Sequence, residues 1–276
     1  MNFNTLVNSN SVKAELHGFH LVRPSPWPIL TSLSIFEFVL SLLVVFHELG
    51  SPYMAFFFFI QLCAVIGMWF RDIVIEATFQ GFHTSDVQRG LRYGMTLFLV
   101  SEFMFFFSFF WTFFHVSLSP SIWIGCVWPP LGITPLNPFL LPFLNTVILV
   151  SSGVSATYSH KSMTRVEGRK DVLNSLAYSI VLGVLFTICQ IAEYMNAEFS
   201  INDGIYGSIF YLATGFHGLH VLIGTTALIV CLVRHWRYHF CVEHHLGFEF
   251  SLWYWHFVDV IRIFLYLVIY IWGWKI

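Results

Sequence analysis

Seven long apolar stretches constrain this chain more than any other feature. They cover residues 29–46, 53–70, 93–116, 139–158, 172–194, 205–233 and 248–272. A helix that crosses a bilayer needs about 20 mostly apolar residues, and each stretch meets or approaches that length. Only 10% of the 276 residues are charged, against about 25% in a soluble domain. Such a chain cannot dress a water-facing surface, which excludes a soluble enzyme, a disordered chain and a nucleic-acid-binding domain. The net charge of −2 supplies no basic excess for phosphate partners. The stretches are continuously apolar rather than alternating, which argues against a β-barrel. The expected fold is an all-α integral membrane protein with seven transmembrane helices.

The first two stretches are short and joined by Gly50-Ser51-Pro52, so 29–70 reads as a helical hairpin and 93–276 as a five-helix bundle. Between them, 71–92 is amphipathic and reads as an interfacial linker. Residues 1–28 lack the order of a secretory signal and read as a tail. Eleven of the thirteen Lys and Arg residues fall in this tail or in the loops after spans 2, 4 and 6. The loops after spans 1, 3 and 5 carry none. This asymmetry places the N-terminus inside and the C-terminus outside. The five cysteines form no C-x-x-C pair and read as small buried hydrophobes.

Polar groups within the apolar stretches are the candidate sites, because lipid makes them costly. Glu102, in LFLVSEFMFFFSFF, is expected to be protonated or hydrogen-bonded to another span. His217 and His220 lie three apart on one face of span 6, with Gly224. They read as helix-packing groups, with haem ligation as the alternative. His244 and His245, near Arg234 and Arg237, suit lipid phosphates at the inner interface. In span 7, Asp259 and Arg262 have the spacing of an intrahelical ion pair, and Trp253, Trp255, Trp272 and Trp274 read as interfacial anchors. No nucleotide loop, zinc-hydrolase motif or nucleophile triad is present.

One ordered series of motifs runs through the chain: SPWP, TFQGFHT, GLRYGM, SEFMFFFSFFW, WPPLGITPLNP, DGIYGSIFYLATGFHGLHVLIG and HHLGFEFSLWYWHFVDV. The series closely resembles subunit III of the mitochondrial aa3-type cytochrome c oxidase, from about His20 to Trp274. The resemblance implies a core subunit of respiratory complex IV in the mitochondrial inner membrane, with its N-terminus in the matrix and its C-terminus in the intermembrane space. It implies two helices and five around a V-shaped cleft that holds phospholipids. No catalytic or metal-binding residue is expected on this chain, because haem a, haem a3 and copper belong to partner subunits. The expected partners are subunit I above all, subunit II, accessory subunits, membrane lipids and other respiratory complexes, with no nucleic acid. The implied role is to stabilise subunit I, sustain proton uptake and bind phospholipids, with an apolar path for oxygen. Glu102 matches the family's carbodiimide-reactive carboxyl. Arg71, Glu76, His83, Arg234, His244 and His245 match positions near lipid headgroups.

Three positions depart from the family pattern. Ile75 stands where many relatives have arginine, and Phe82-His83 where they have His-His. Arg262 stands where tryptophan is usual. Neutralisation by Asp259 is one explanation of Arg262; an arginine codon edited to tryptophan is another. Two other classes fit seven spans: a self-contained receptor or transporter, and a haem-bearing membrane enzyme built on His217 and His220. The inside N-terminus argues against the usual receptor, and the lack of evident internal repeats argues against a transporter.

Overall fold

The computed structural model describes residues 17–165 and 168–274. The tail with Lys13, and Lys275 at the far end, lie outside the described residues. Seven α-helices follow in order: α1 (Trp27–Phe46), α2 (Pro52–Thr78), α3 (Ser85–Leu118), α4 (Leu141–Thr164), α5 (Arg169–Met195), α6 (Gly204–Trp236) and α7 (Leu246–Leu265). Helix α7 continues as a π-helical stretch, Tyr266–Ile271, and a last 3-10 turn, Trp272–Trp274. Among the described residues all seven helices are long and apolar enough to cross a membrane, as the hydropathy pattern predicts.

Local signals set the helix starts. Proline occupies the first turn of α1, α2 and α4, where its missing N–H costs nothing. Ser51 caps α2 by accepting from the Tyr53 backbone N–H, the N-terminal satisfaction that such a helix needs. The helices outrun the apolar stretches. Helix α2 extends past Phe70 to Thr78 and α3 opens at Ser85, so the 71–92 segment is mostly helix around a short loop at 79–84. The physical reason is that charged residues continue a helix readily once its apolar part is formed; hydropathy marks where the lipid ends rather than where the helix does.

The chain divides into two compact units, residues 1–93 and 94–276. In the first, α1 packs against α2. The buried residues of the pair are the small ones, Ser34, Ser41 and Ala55, which let two helix backbones approach as they do in membranes. Gln61 Nε2 donates to Glu37 Oε2 at 2.7 Å and joins the two helices. The outer faces are bare hydrocarbon, with Phe36, Phe56 and Phe57 all more than 60% exposed, a surface suited to lipid and not to water.

In the second unit α4 packs on α5, α5 on α6, α6 on α7 and α7 back on α4. One core cluster is centred on Leu149, Leu176, Phe186, Leu228 and Trp255. The other is aromatic, with Phe106, Phe113, Trp128, Phe199, Tyr206, Phe210 and Tyr270, which is where much of the unusual aromatic content goes. Trp255 is fully buried, contrary to its reading as an interfacial anchor. Its ring is wedged against two glycines: a Cβ on Gly183 or Gly224 would come within 2.8 Å of the indole. Its Nε1–H donates to Ser152 Oγ at 3.0 Å, which satisfies the one polar atom that burial would otherwise strand.

Candidate functional site

Glu102 sits on α3 and His220 on α6, 118 residues apart in sequence. Glu102 Oε2 lies 2.8 Å from His220 Nε2. The other ring nitrogen, Nδ1, lies 2.6 Å from the Phe216 carbonyl oxygen. A carbonyl only accepts, so Nδ1 carries a proton. Nε2 and the carboxyl must then share one more proton. Either a protonated carboxyl donates to Nε2, or an imidazolium donates to a carboxylate. Both descriptions leave the pair with no net charge, which resolves the cost of a lone carboxylate in lipid. Glu102 on α3 is thus hydrogen-bonded to a second span, α6.

Aromatic rings enclose the pair. Tyr254 and Phe105 lie nearly parallel to the imidazole at 6.1 and 6.4 Å between centroids, and Phe106 presents an edge at 5.0 Å. Near-parallel ring faces favour positive charge on the imidazole. The side chain of His220 is 9% exposed and that of Glu102 22%, so the carboxyl is the open side of the pair. Ser101, the nearest polar residue in sequence, turns its hydroxyl to its own helix at the Phe98 carbonyl.

His217 serves a different neighbour. Its Nε2–H donates to the Val258 carbonyl of α7 at 3.3 Å, and its ring meets the edge of Phe186 from α5. The two histidines that share a helix face therefore tie α6 to two different helices. Both nitrogens of His220 and Nε2 of His217 meet protein groups, while His217 Nδ1 is buried without a hydrogen-bond partner.

Asp259 and Arg262 do not pair, and this corrects the reading from their spacing. Asp259 Oδ2 is 3.7 Å from His256 Nδ1, and His256 Nε2 is 3.2 Å from Thr157 Oγ1 on α4. Arg262 instead bonds Thr146, Gln190 and the Pro142 carbonyl. A three-residue step on a helix permits an ion pair, but here Arg262 follows the polar groups that face it from α4 and α5, while Asp259 turns to His256 of its own helix.

The six residues matched to lipid headgroups fall three in each unit. In the first, Arg71 is exposed on α2 and His83 lies half-buried in the loop before α3. Glu76 faces His20 at 3.7 Å. In the second, the Arg234 guanidinium lies 4.3 Å over the Phe240 ring, in the last turn of α6. His244 is exposed. The His245 ring is 5.5 Å from that of His160, and its Nδ1–H donates to the Cys241 carbonyl. Partial burial, then the Arg234 and Arg237 charges, holds the nearby His239 below the ordinary histidine range. Arg169 donates to the His235 and Trp236 carbonyls at the end of α6 and lies 3.5 Å over the Tyr238 ring. A cation there complements the helix C-terminus.

Two further carboxyls sit within spans and carry no motif: Glu37, held by Gln61, and Glu193, which accepts from Tyr270 and Gln190. The rule that singles out Glu102, an acid inside an apolar run, finds both.

Comparison with known proteins bears directly on this arrangement. The family model for cytochrome c oxidase subunit III matches residues 17–274. Cytochrome c oxidase subunit 3 of Papio hamadryas is 51% identical over 259 residues, covering 94% of this chain and 98% of its own. The proteins of that name from Pelomedusa subrufa and Paracentrotus lividus are each 53% identical over 260 residues, with 94% of this chain covered and 98% and 99% of theirs. The match takes in all seven helices, the Glu102–His220 pair and both sets of basic residues, and the chain belongs to the cytochrome c oxidase subunit III family.

Proposed function

We propose that this chain, a subunit of cytochrome c oxidase, is a non-redox core subunit that stabilises subunit I and sustains proton uptake during turnover. The haems and copper are carried by partner subunits, and this chain contributes structural phospholipids and a shared-proton group. The observation that carries the reading is the Glu102–His220 pair. It holds a proton inside an apolar bundle, on residues whose other contacts are packing contacts. A group of this kind exchanges protons without needing a cofactor. The basic and histidine residues at the ends of α2 and α6, with Arg71, His83, Arg234, His244 and His245, suit phosphate headgroups, with the N-terminus in the matrix. The phenylalanine-rich core of the second unit suits oxygen, which dissolves readily in apolar media.

The test is native isolation of the membranes in mild detergent. The chain should migrate with ferrocytochrome c oxidase activity and with haem. Migration as a free chain, with the activity elsewhere, contradicts the reading and favours a self-contained receptor or transporter.

A further inference from the structure

Arg262 is 0% exposed. Its Nε donates to Thr146 Oγ1 at 3.2 Å, Nη1 to Gln190 Oε1 at 3.2 Å and Nη2 to the Pro142 carbonyl at 3.3 Å. The rings of Phe186 and Tyr270 lie 5.1 and 5.3 Å from its Cζ. Every one of these partners is neutral. A guanidinium does not lose its proton inside a protein, so its charge must be answered by a nearby anion.

The acid within reach is Glu193, one turn along α5 from Gln190 and 2% exposed. Gln190 connects the two. Its carbonyl faces Arg262, and its Nε2 donates to Glu193 Oε1 at 3.3 Å. Tyr270 donates to the same oxygen at 2.5 Å, the short distance of a hydrogen bond to an ionised acceptor. Tyr270 belongs to the π-helical stretch after α7, a wider turn that re-aims side chains and recurs at functional positions.

Four polar groups on three residues are left over in this enclosure. Glu193 Oε2 and Asn145 Oδ1 are buried with no hydrogen-bond partner. Arg262 uses three of its five N–H groups. Asn145 is itself 0% exposed, and its Nδ2 is 3.5 Å from the Gln190 oxygen that Arg262 also meets. A water within reach of all of them would donate to both oxygens and accept from the two spare guanidinium N–H groups. We propose that Arg262 and Glu193 form a buried ion pair completed by an internal water bound between them and Asn145, in a polar site walled by α4, α5 and α7.

The test uses the assembled oxidase. Tryptic peptides of the mature chain should end at Arg262; a peptide that reads through this position with the mass of tryptophan overturns the pair. A high-resolution density map should show an ordered water touching Glu193, Asn145 and Arg262, and a dry enclosure overturns the water. Glu193→Gln and Arg262→Leu should each lower the amount of this chain retained in the complex by at least ~tenfold, because each strands one buried charge. The double variant should recover to within about twofold of the parent. Losses that simply multiply overturn the coupling, even if either single variant fails to assemble.

Discussion

His220 Nε2 and Glu102 Oε2 stand 2.8 Å apart across α3 and α6, and the Phe216 carbonyl on the far side of the imidazole obliges them to share a proton. The pair is a packing contact and a protonatable site at once. Separating these roles requires a substitution that keeps one and removes the other. Glu102→Gln does so, because its amide still donates to Nε2 but has no proton to exchange. His220→Phe removes both. Glu102→Gln should leave the chain assembled with thermal retention close to the parent, whereas His220→Phe should lower retention by about 1–3 kcal/mol, the cost of a stranded buried polar group. Thermal release of the chain from the purified oxidase measures the difference.

Trp255 makes a second prediction. Gly183→Ala and Gly224→Ala each place a methyl within 2.8 Å of the indole. Overpacking of a rigid ring costs about 1–3 kcal/mol, so the melting temperature of the subunit within the complex should fall. Gly215→Ala is the control. A Cβ there meets nothing within 4 Å, and the change should be neutral or stabilising by up to about 1 kcal/mol from helix propensity. Equal effects at all three sites would contradict the wedge.

The hairpin makes a third. Gln61→Leu removes the donor to Glu37, leaving a part-buried carboxyl without its hydrogen bond. The expected loss is about 1 kcal/mol, the ordinary contribution of an intramolecular hydrogen bond. Glu37→Gln combined with Gln61→Leu should lose less than Gln61→Leu alone. Thermal release from the purified oxidase reads both.

Sidedness is open to thiol labelling. Cys126 and Cys241 are exposed, the first in the loop after α3 and the second in the loop after α6. With the N-terminus in the matrix, a membrane-impermeant maleimide should reach Cys126 in mitoplasts and Cys241 only in inverted particles. The reverse pattern contradicts the orientation read from the arginines and lysines.

The helices were largely legible because lipid imposes one rule on the whole of each span: long, apolar and internally bonded. Their ends were not, since residues 71–78 remain helical beyond the apolar run and hydropathy does not sense hydrogen bonding. Glu102 was legible as a residue that needed a partner. The partner was not, because nothing local connects positions 102 and 220. The Asp259–Arg262 spacing points to a pair, but Thr146, Gln190 and Pro142 of α4 and α5 take the arginine and His256 of α7 faces the aspartate. Trp255 was misplaced for a related reason. A tryptophan near the end of an apolar stretch looks like a belt residue, and only the facing glycines of α5 and α6 show that it is core.

The most direct measurement is the endurance of the oxidase carrying Glu102→Gln. Ferrocytochrome c oxidation is followed through successive turnovers beside the unaltered enzyme. The shared-proton account predicts an intact complex with the same subunit content whose rate decays faster as turnovers accumulate. A decay indistinguishable from that of the unaltered enzyme, in a complex of unchanged composition, would contradict it and leave Glu102 and His220 as packing residues alone.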